Sequence, residues 1–273
     1  MLTSPVLEKQ KKVTLSLVFV NFQSAWHLER SLESLKKEKS LLGEREIIVV
    51  NNDPKERALL HAIQKNYPFS LIENTKNTGF ANAANLGANA SQGEILGFIN
   101  PDTLFTGNTL SFLEEAFRDE SLGVIGPKLV DASGKEDRFD FGAEITLFST
   151  LSRHLFFQIF SQKKEVRAQI EVDWVSGGAL FVRKSIFSLV GGFDERFFLY
   201  FEDADFCKRV QESGYRIYKA LKPRLIHLGG KSQVSFAAQK KHYYESQDQY
   251  FRKHRPGIEA STLFFLRNIL YGK

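Results

Sequence analysis

Residues 94–102 read EILGFINPD. An unbroken apolar run passes directly into Asn100-Pro101-Asp102. A run of this length, bounded by turn residues, suits a strand buried on both faces, as in a parallel sheet. Pro101 stiffens the turn and aims the next side chain. Open α/β sheets bind ligands beyond the carboxyl ends of their strands, so Asp102 is well placed to hold a cation. Mg2+ is usually held by few protein carboxylates together with a diphosphate. Asp is also common in turns and caps, and Asn-Pro-Asp alone reads more readily as punctuation.

Upstream, strand and helix patterns alternate. Residues 14–21 (TLSLVFVN), 46–51 (EIIVVN) and 69–73 predict strands. Between them, Leu28, Leu32 and Leu35 repeat at helical spacing behind Ser24, a candidate N-cap. Pro54 can open a helix at its first position, and the Ala- and Asn-rich residues 80–91 predict another. Four such alternations predict an α/β fold, a mostly parallel central sheet flanked by helices.

The second half is less regular. Residues 123–130 predict a strand, and 172–182 predict two strands broken at Gly177-Gly178. Residues 202–213 predict a helix closed by Gly214. Short strands are expected at 215–220 and 224–227, then a helix over 240–254 stopped by Pro256. Residues 139–170 are aromatic and basic and fit no template.

Composition narrows the function classes. The 273 residues suit one large α/β domain, or one with a small appendage. Cys207 is the single cysteine, which excludes an internal disulfide and a cysteine-built zinc site. No run of apolar residues is long enough to span a bilayer, and residues 1–12 lack the apolar stretch of a signal peptide; a cytoplasmic protein is expected. Net charge is +5, too small to imply nucleic acid. Residues 236–273 hold seven Lys/Arg against three Asp/Glu, so most of that excess sits in the tail. The 25 Phe, 8 Tyr and 2 Trp suggest apolar pockets or surfaces beyond the core.

Several common sites are absent. G-x-G-x-x-G and G-x-S-x-G do not occur, and Gly229-Gly230-Lys231-Ser232 has Leu225 where a P-loop needs Gly. What remains is acidic. In 197–205 (FFLYFEDAD) three acids follow five apolar residues. Acids that open a helix are favoured by its dipole. Yet an apolar wall and mutual repulsion raise carboxyl pKa values, which suits a base. His227 ends a short strand, and beside a carboxylate site it is a candidate metal ligand. The following Gly229-Gly230-Lys231-Ser232 could offer N–H groups and an ammonium to a diphosphate.

These segments in order resemble family 2 glycosyltransferases of the GT-A fold, in particular the bacterial rhamnosyltransferase-like branch. The likeness runs from residue 13 to residue 232. It is carried by Val20-Asn21-Phe22-Gln23-Ser24, Val49-Val50-Asn51-Asn52, Asn77-Thr78-Gly79-Phe80-Ala81 with Asn85 and Gly87, Asn100-Pro101-Asp102-Thr103, Val175-Ser176-Gly177-Gly178-Ala179, Gly191-Gly192-Phe193-Asp194-Glu195, Phe198-Leu199-Tyr200-Phe201-Glu202-Asp203-Ala204-Asp205, and His227-Leu228-Gly229-Gly230.

The resemblance implies a Rossmann-like GT-A domain over 1–235 and a basic amphipathic helical extension over 236–273. It implies inverting, metal-dependent transfer of a sugar, L-rhamnose from dTDP-rhamnose being favoured. The acceptor would be a hydroxyl of a saccharide or lipid-linked saccharide in cell-surface polysaccharide synthesis. Asp102 and His227 would bind Mg2+ or Mn2+. Asp203 would be the base, supported by Glu202 and Asp205. Asn21, Asn51, Asn77, Gly79, Asn85 and Asn100 would hold the nucleotide. Trp174, Gly177, Gly178 and Arg209 would line the sugar and acceptor cleft. The chain departs from the family at Asn51, where Asp is common, with Asp53 as a possible substitute, and at Pro54, often Ser. A nucleotidyltransferase of related architecture would carry a Gly-rich basic loop after the first strand, and 21–25 (NFQSA) has none. A non-catalytic nucleotide-sugar-binding protein would have no use for the retained Asp102, Asp203 and His227. Apolar residues over 147–160 and in the basic tail are expected to draw the protein to the inner membrane face.

Overall fold

The computed structural model describes residues 13–38, 44–136, 140–151, 169–229 and 235–271. The first half alternates as expected: β1 (Val13–Asn21), α1 (Ala25–Leu35), β2 (Glu44–Asn51), a 3-10 turn (Pro54–Glu56), α2 (Arg57–Asn66), β3 (Ser70–Glu73), α3 (Phe80–Ala90) and β4 (Ile95–Ile99). Next come β5 (Thr103–Phe105), α4 (Thr109–Ala116), β6 (Leu122–Val130), β7 (Phe141–Gly142), α5 (Leu147–Leu151), β8 (Gln169–Val172) and β9 (Trp174–Val175). The chain closes with β10 (Ala179–Arg183), α6 (Lys184–Leu189), α7 (Glu202–Glu212), β11 (Arg216–His227), α8 (Phe236–His254) and α9 (Gly257–Tyr271).

Among the described residues, nine strands form one sheet in the order β3-β2-β1-β4-β10-β6-β11-β5, with β8 also on β11. Strands β1, β2, β3, β4, β6 and β11 run in one direction, and β5, β8 and β10 oppose them. The sheet is therefore mostly parallel, with β10 inserted where the two parallel sets meet.

Alternation along β1 builds both cores. Leu15, Leu17 and Phe19 face α1, α2 and α4, while Val18 faces α3, α6 and α7. Leu28, Leu32 and Leu35 of α1 are fully buried, each contributing about 1.5–3 kcal/mol. Helix α3 approaches the sheet through Ala81, Ala84, Ala88 and Gly87, and a Cβ at Gly87 would lie 2.4 Å from the Val18 side chain. Its Ala-rich sequence is thus a packing requirement.

Two details differ from the sequence reading. Residues expected as two strands form the single irregular strand β11, whose pairing with β6 shifts between Lys219 and Arg224. Ser24 precedes α1, but its hydroxyl does not cap the helix. The Glu56 carboxylate does so, accepting from the N–H groups of Ser24 and Ala25. Of the proposed 147–160 stripe only α5 is described; Leu155, Phe156 and Ile159 lie outside the described residues, as do Gly230, Lys231 and Ser232.

Helices α8 and α9 pack on the segment before α7. Tyr250, Phe251 and Leu263 form a cluster with Phe197, Phe201 and Ala204.

Candidate active site

A cavity of about 770 Å³ opens at the carboxyl ends of β1 and β4 and is closed by residues before α7 and on α8. Val20, Phe22, Asn52, Asn77, Gly79 and Phe80 line one part. Asn100, Asp102 and His227 line a second, and Trp174, Gly177, Gly178, Glu202 and Asp203 a third.

Strand pairing creates the second part. Asp102 immediately precedes β5, and His227 ends β11. Thr103 and His227 are register partners, and the Leu228 N–H donates to the Asp102 carbonyl at 3.0 Å. Their side chains meet, with His227 Nε2 3.3 Å from Asp102 Oδ1. Burial raises the Asp102 pKa, but the hydrogen bond and charge of His227 outweigh this and hold it below the usual carboxylate range. One carboxylate and one imidazole on a cavity wall make a donor set that Mg2+ or Mn2+ accepts while leaving positions for a diphosphate. Among the described residues no group of three or more His, Cys, Asp or Glu side chains is placed to hold a metal. Any metal here would therefore draw most of its ligands from the diphosphate and water.

The acid cluster divides. Tyr200 and Phe201 both have positive φ, +70° and +64°, and deliver the chain into the first turn of α7. Such values are costly for aromatic residues and typical of functional sites. Asp203 Oδ2 accepts from the Gly177 N–H and Oδ1 from the Ala204 N–H, both at 2.8 Å. Burial raises its pKa, and these N–H groups offset part of the rise. Glu202 is 5% exposed, and its Oε2 has no hydrogen-bond partner among the described residues. Burial, then the Asp203 charge, pushes its pKa well above the usual carboxylate range. Of the two, Asp203 has the better setting for a negative charge, because it accepts from two backbone N–H groups.

Asp205 does not line the cavity. It is fully buried behind α7 and accepts from Arg209 Nε at 2.8 Å, His254 Nε2 at 2.7 Å and Lys253 Nζ at 2.6 Å. Burial opposes its charge, but the hydrogen bond from His254 and the charges of Arg209 and Lys253 hold its pKa below the usual range. Arg209, expected in the cleft, instead bonds Asp205 and the Val190 carbonyl. Two residues along a helix rotate about 200°, so Asp203 and Asp205 face opposite sides.

Three of the expected nucleotide residues also turn away. Asn21 and Asn51 are fully buried. Asn51 Oδ1 accepts from Asn21 Nδ2 and the Asp53 N–H, tying β1 to β2. Asn85 holds Phe193 through both its carbonyl and its N–H. Asp53 caps the 3-10 turn at the Lys55 N–H and is not among the residues lining the cavity. Asn52 is the residue that faces the cavity at this strand end, its amide tied to Asn74, Thr78 and Gly79. Sequence reasoning also missed Phe198, Tyr200, His242 and Tyr243 in the lining. The aromatic-rich run 197–201 before Glu202 was the signal for the first pair, whereas nothing local marks the α8 residues.

The family profile described as Glycosyl transferase family 2 matches residues 16–188. The chain belongs to glycosyl transferase family 2. A second profile, described as N-terminal domain of galactosyltransferase, matches residues 158–231 of this glycosyltransferase. An N-acetylglucosaminyl-diphospho-decaprenol L-rhamnosyltransferase of Mycobacterium tuberculosis is 29% identical over 224 residues, covering 74% of this chain and 71% of the relative. Among solved structures, GalNAc-T7 with UDP, GalNAc and Mn2+ superposes with a TM-score of 0.63 at 15% identity. That match covers 88% of this chain and half of GalNAc-T7. A mannosyltransferase of Pyrobaculum calidifontis in complex with GDP-Man and Mn2+ gives 0.58 at 15% identity, covering 90% of this chain and 68% of the other. The glycosyltransferase therefore has the GT-A-like α/β fold.

Proposed function

We propose that this glycosyltransferase moves a sugar, with inversion, from a nucleoside diphosphate to a hydroxyl of a saccharide or lipid-linked saccharide in cell-surface polysaccharide synthesis. L-Rhamnose from dTDP-rhamnose is the favoured donor. The carrying observation is that Asp203 and the Asp102–His227 pair line one cavity. Inverting displacement needs a base on one side of the anomeric carbon and charge neutralisation of the leaving diphosphate on the other. The rhamnosyltransferase relative supports the donor, and its decaprenol-linked substrate supports a lipid-linked acceptor.

Asp102 and His227 hold the divalent ion, Mg2+ or Mn2+, which when bound neutralises the diphosphate. Asp203 takes the proton of the attacking hydroxyl, and its backbone donors keep the carboxylate aimed. Beside it, burial and the Asp203 charge raise the Glu202 pKa, which disfavours a second charge in the cleft. Val20, Phe22, Asn52, Asn77, Gly79 and Phe80 form the nucleoside end. Trp174, whose indole N–H is anchored on the Ala143 carbonyl, and Gly177-Gly178 form the sugar end.

Peripheral membrane contact belongs to the same proposal. No described helix is long and apolar enough to cross a membrane. Ile258, Phe265 and Ile269 recur on one side of α9 and are each more than half exposed, as are Phe148 and Leu151 on α5. Arg267, on the same helix, pairs with Asp248.

Thermal-shift screening of nucleotide sugars with Mg2+ or Mn2+ tests the donor. dTDP-rhamnose should give the largest stabilisation, since ligand bound only to the native state raises stability by mass action. A larger shift with another sugar nucleotide would reject rhamnose.

A further inference from the structure

Helix α8 brings rings into the site from the far end of the chain. His242 stacks on Phe198, with centroids 4.7 Å apart and planes at 28°. Tyr243 meets Tyr200 edge-on at 5.9 Å and Phe201 at 5.3 Å. Those aromatics lead straight into Glu202 and Asp203, so the α8 rings border the acid pair. The other end of α8 is locked to α7, where Lys253 and His254 hold the buried Asp205. Helix α8 is thus fixed against the acid-bearing helix at two points three turns apart.

The chemistry at this end matches a pyranose. A sugar ring offers a C–H face that packs on an aromatic ring and an edge of hydroxyls that need polar partners. Tyr243 supplies a ring. Glu202 lines the cavity, and one of its carboxyl oxygens is buried with no hydrogen-bond partner among the described residues. A buried polar atom left unpaired costs about 1–3 kcal/mol, and a ligand hydroxyl would recover this. Burial and the adjacent Asp203 raise the pKa of this carboxyl, and a carboxyl group accepts a hydroxyl hydrogen bond in either protonation state.

We propose that Tyr243 and Glu202 form the acceptor subsite, Tyr243 stacking on the acceptor sugar and Glu202 hydrogen-bonding a hydroxyl beside the one that attacks. This rests on the transferase reading above, which places the attacking hydroxyl at Asp203 and hence the acceptor ring at this end. Helix α8, outside the matched family segment, then decides which acceptor is used.

The test measures transfer from dTDP-L-rhamnose with Mn2+ to octyl N-acetyl-β-D-glucosaminide, and dTDP affinity by calorimetry. Tyr243→Phe keeps the ring and should raise acceptor KM less than Tyr243→Leu. Tyr243→Leu should raise acceptor KM about tenfold with dTDP affinity within about twofold, the scale of one lost aromatic contact. Glu202→Leu should raise acceptor KM more than Glu202→Gln, which still hydrogen-bonds, and this arm stands even where Tyr243→Leu fails to fold by circular dichroism. An unchanged acceptor KM in both Leu variants, or an equal loss of dTDP affinity, overturns the subsite. A starting protein that binds dTDP but transfers nothing to this acceptor also overturns it, whereas one that binds no nucleoside diphosphate overturns the transferase reading itself.

Discussion

Replacing Gly79 by Ala probes how one wall of the cavity holds the other. Gly79 precedes α3 with φ +84° and ψ 172°, a region that essentially only glycine occupies. Forcing Ala into it costs about 1–3 kcal/mol. The new Cβ would also lie 2.5 Å from the Phe198 carbonyl oxygen and 2.9 Å from its ring. That carbonyl accepts the Phe80 N–H at 2.8 Å, so it cannot retreat without breaking the bond that joins the two walls. Overpacking of this kind adds about 1–3 kcal/mol. The sum, about 2–6 kcal/mol, is a large part of an ordinary domain's stability. Gly134 is the control, because its φ is +83° and a Cβ there meets nothing within 4 Å. Gly134→Ala should therefore lose only the backbone cost of about 1–2 kcal/mol. Urea unfolding of both variants gives the difference. Gly79→Ala should also lower kcat, since Phe198 leads into the segment that aims Asp203. Equal stability of the two variants would refute the wall-to-wall contact, and a normal kcat in Gly79→Ala would refute its link to the acids.

Four other outcomes are expected. Asp203→Asn should lower kcat by about 10²–10⁴-fold with nucleotide affinity little changed, the usual worth of a general base; an active Asp203→Asn beside an inactive Glu202→Gln would reverse the assignment. Asp102→Ala should abolish transfer and the Mn2+-dependent part of nucleotide binding without unfolding the protein, and full activity in excess EDTA would remove the metal from the scheme. Because the folded pKa of Glu202 is raised, the native state keeps a proton that the unfolded chain releases, so this group's contribution to stability falls as pH rises from the ordinary carboxylate range through the folded value; Glu202→Gln should flatten that fall and raise Tm at pH 7–8, and a lower Tm there would contradict it. Co-sedimentation with anionic liposomes should rise with anionic lipid content and drop with salt, and no binding at low salt would remove the membrane contact.

Local sequence was enough to read the first four strands and the helices between them. Burial pattern, turn residues and period are short-range properties, and a strand buried on both faces advertises itself as it does at 94–102. The same locality placed Asp102 at a strand end and Asp203 at the start of a helix. It could not show that Asp102 meets His227. That contact depends on β5, three residues long, pairing with the end of a strand more than a hundred residues later. Nor could it sort the asparagines, because whether Asn51 or Asn52 faces the cavity is set by the sheet's two faces and by the Asn21–Asn51 bond across β1 and β2. Proximity in sequence misled at 202–205, where helical rotation sends Asp203 to the cavity and Asp205 to Lys253 and His254 of α8. The aromatic wall of α8 was invisible for the opposite reason. Its rings become part of the site only when Lys253 and His254 lock the end of the chain onto Asp205, and no window of sequence contains both partners of that contact.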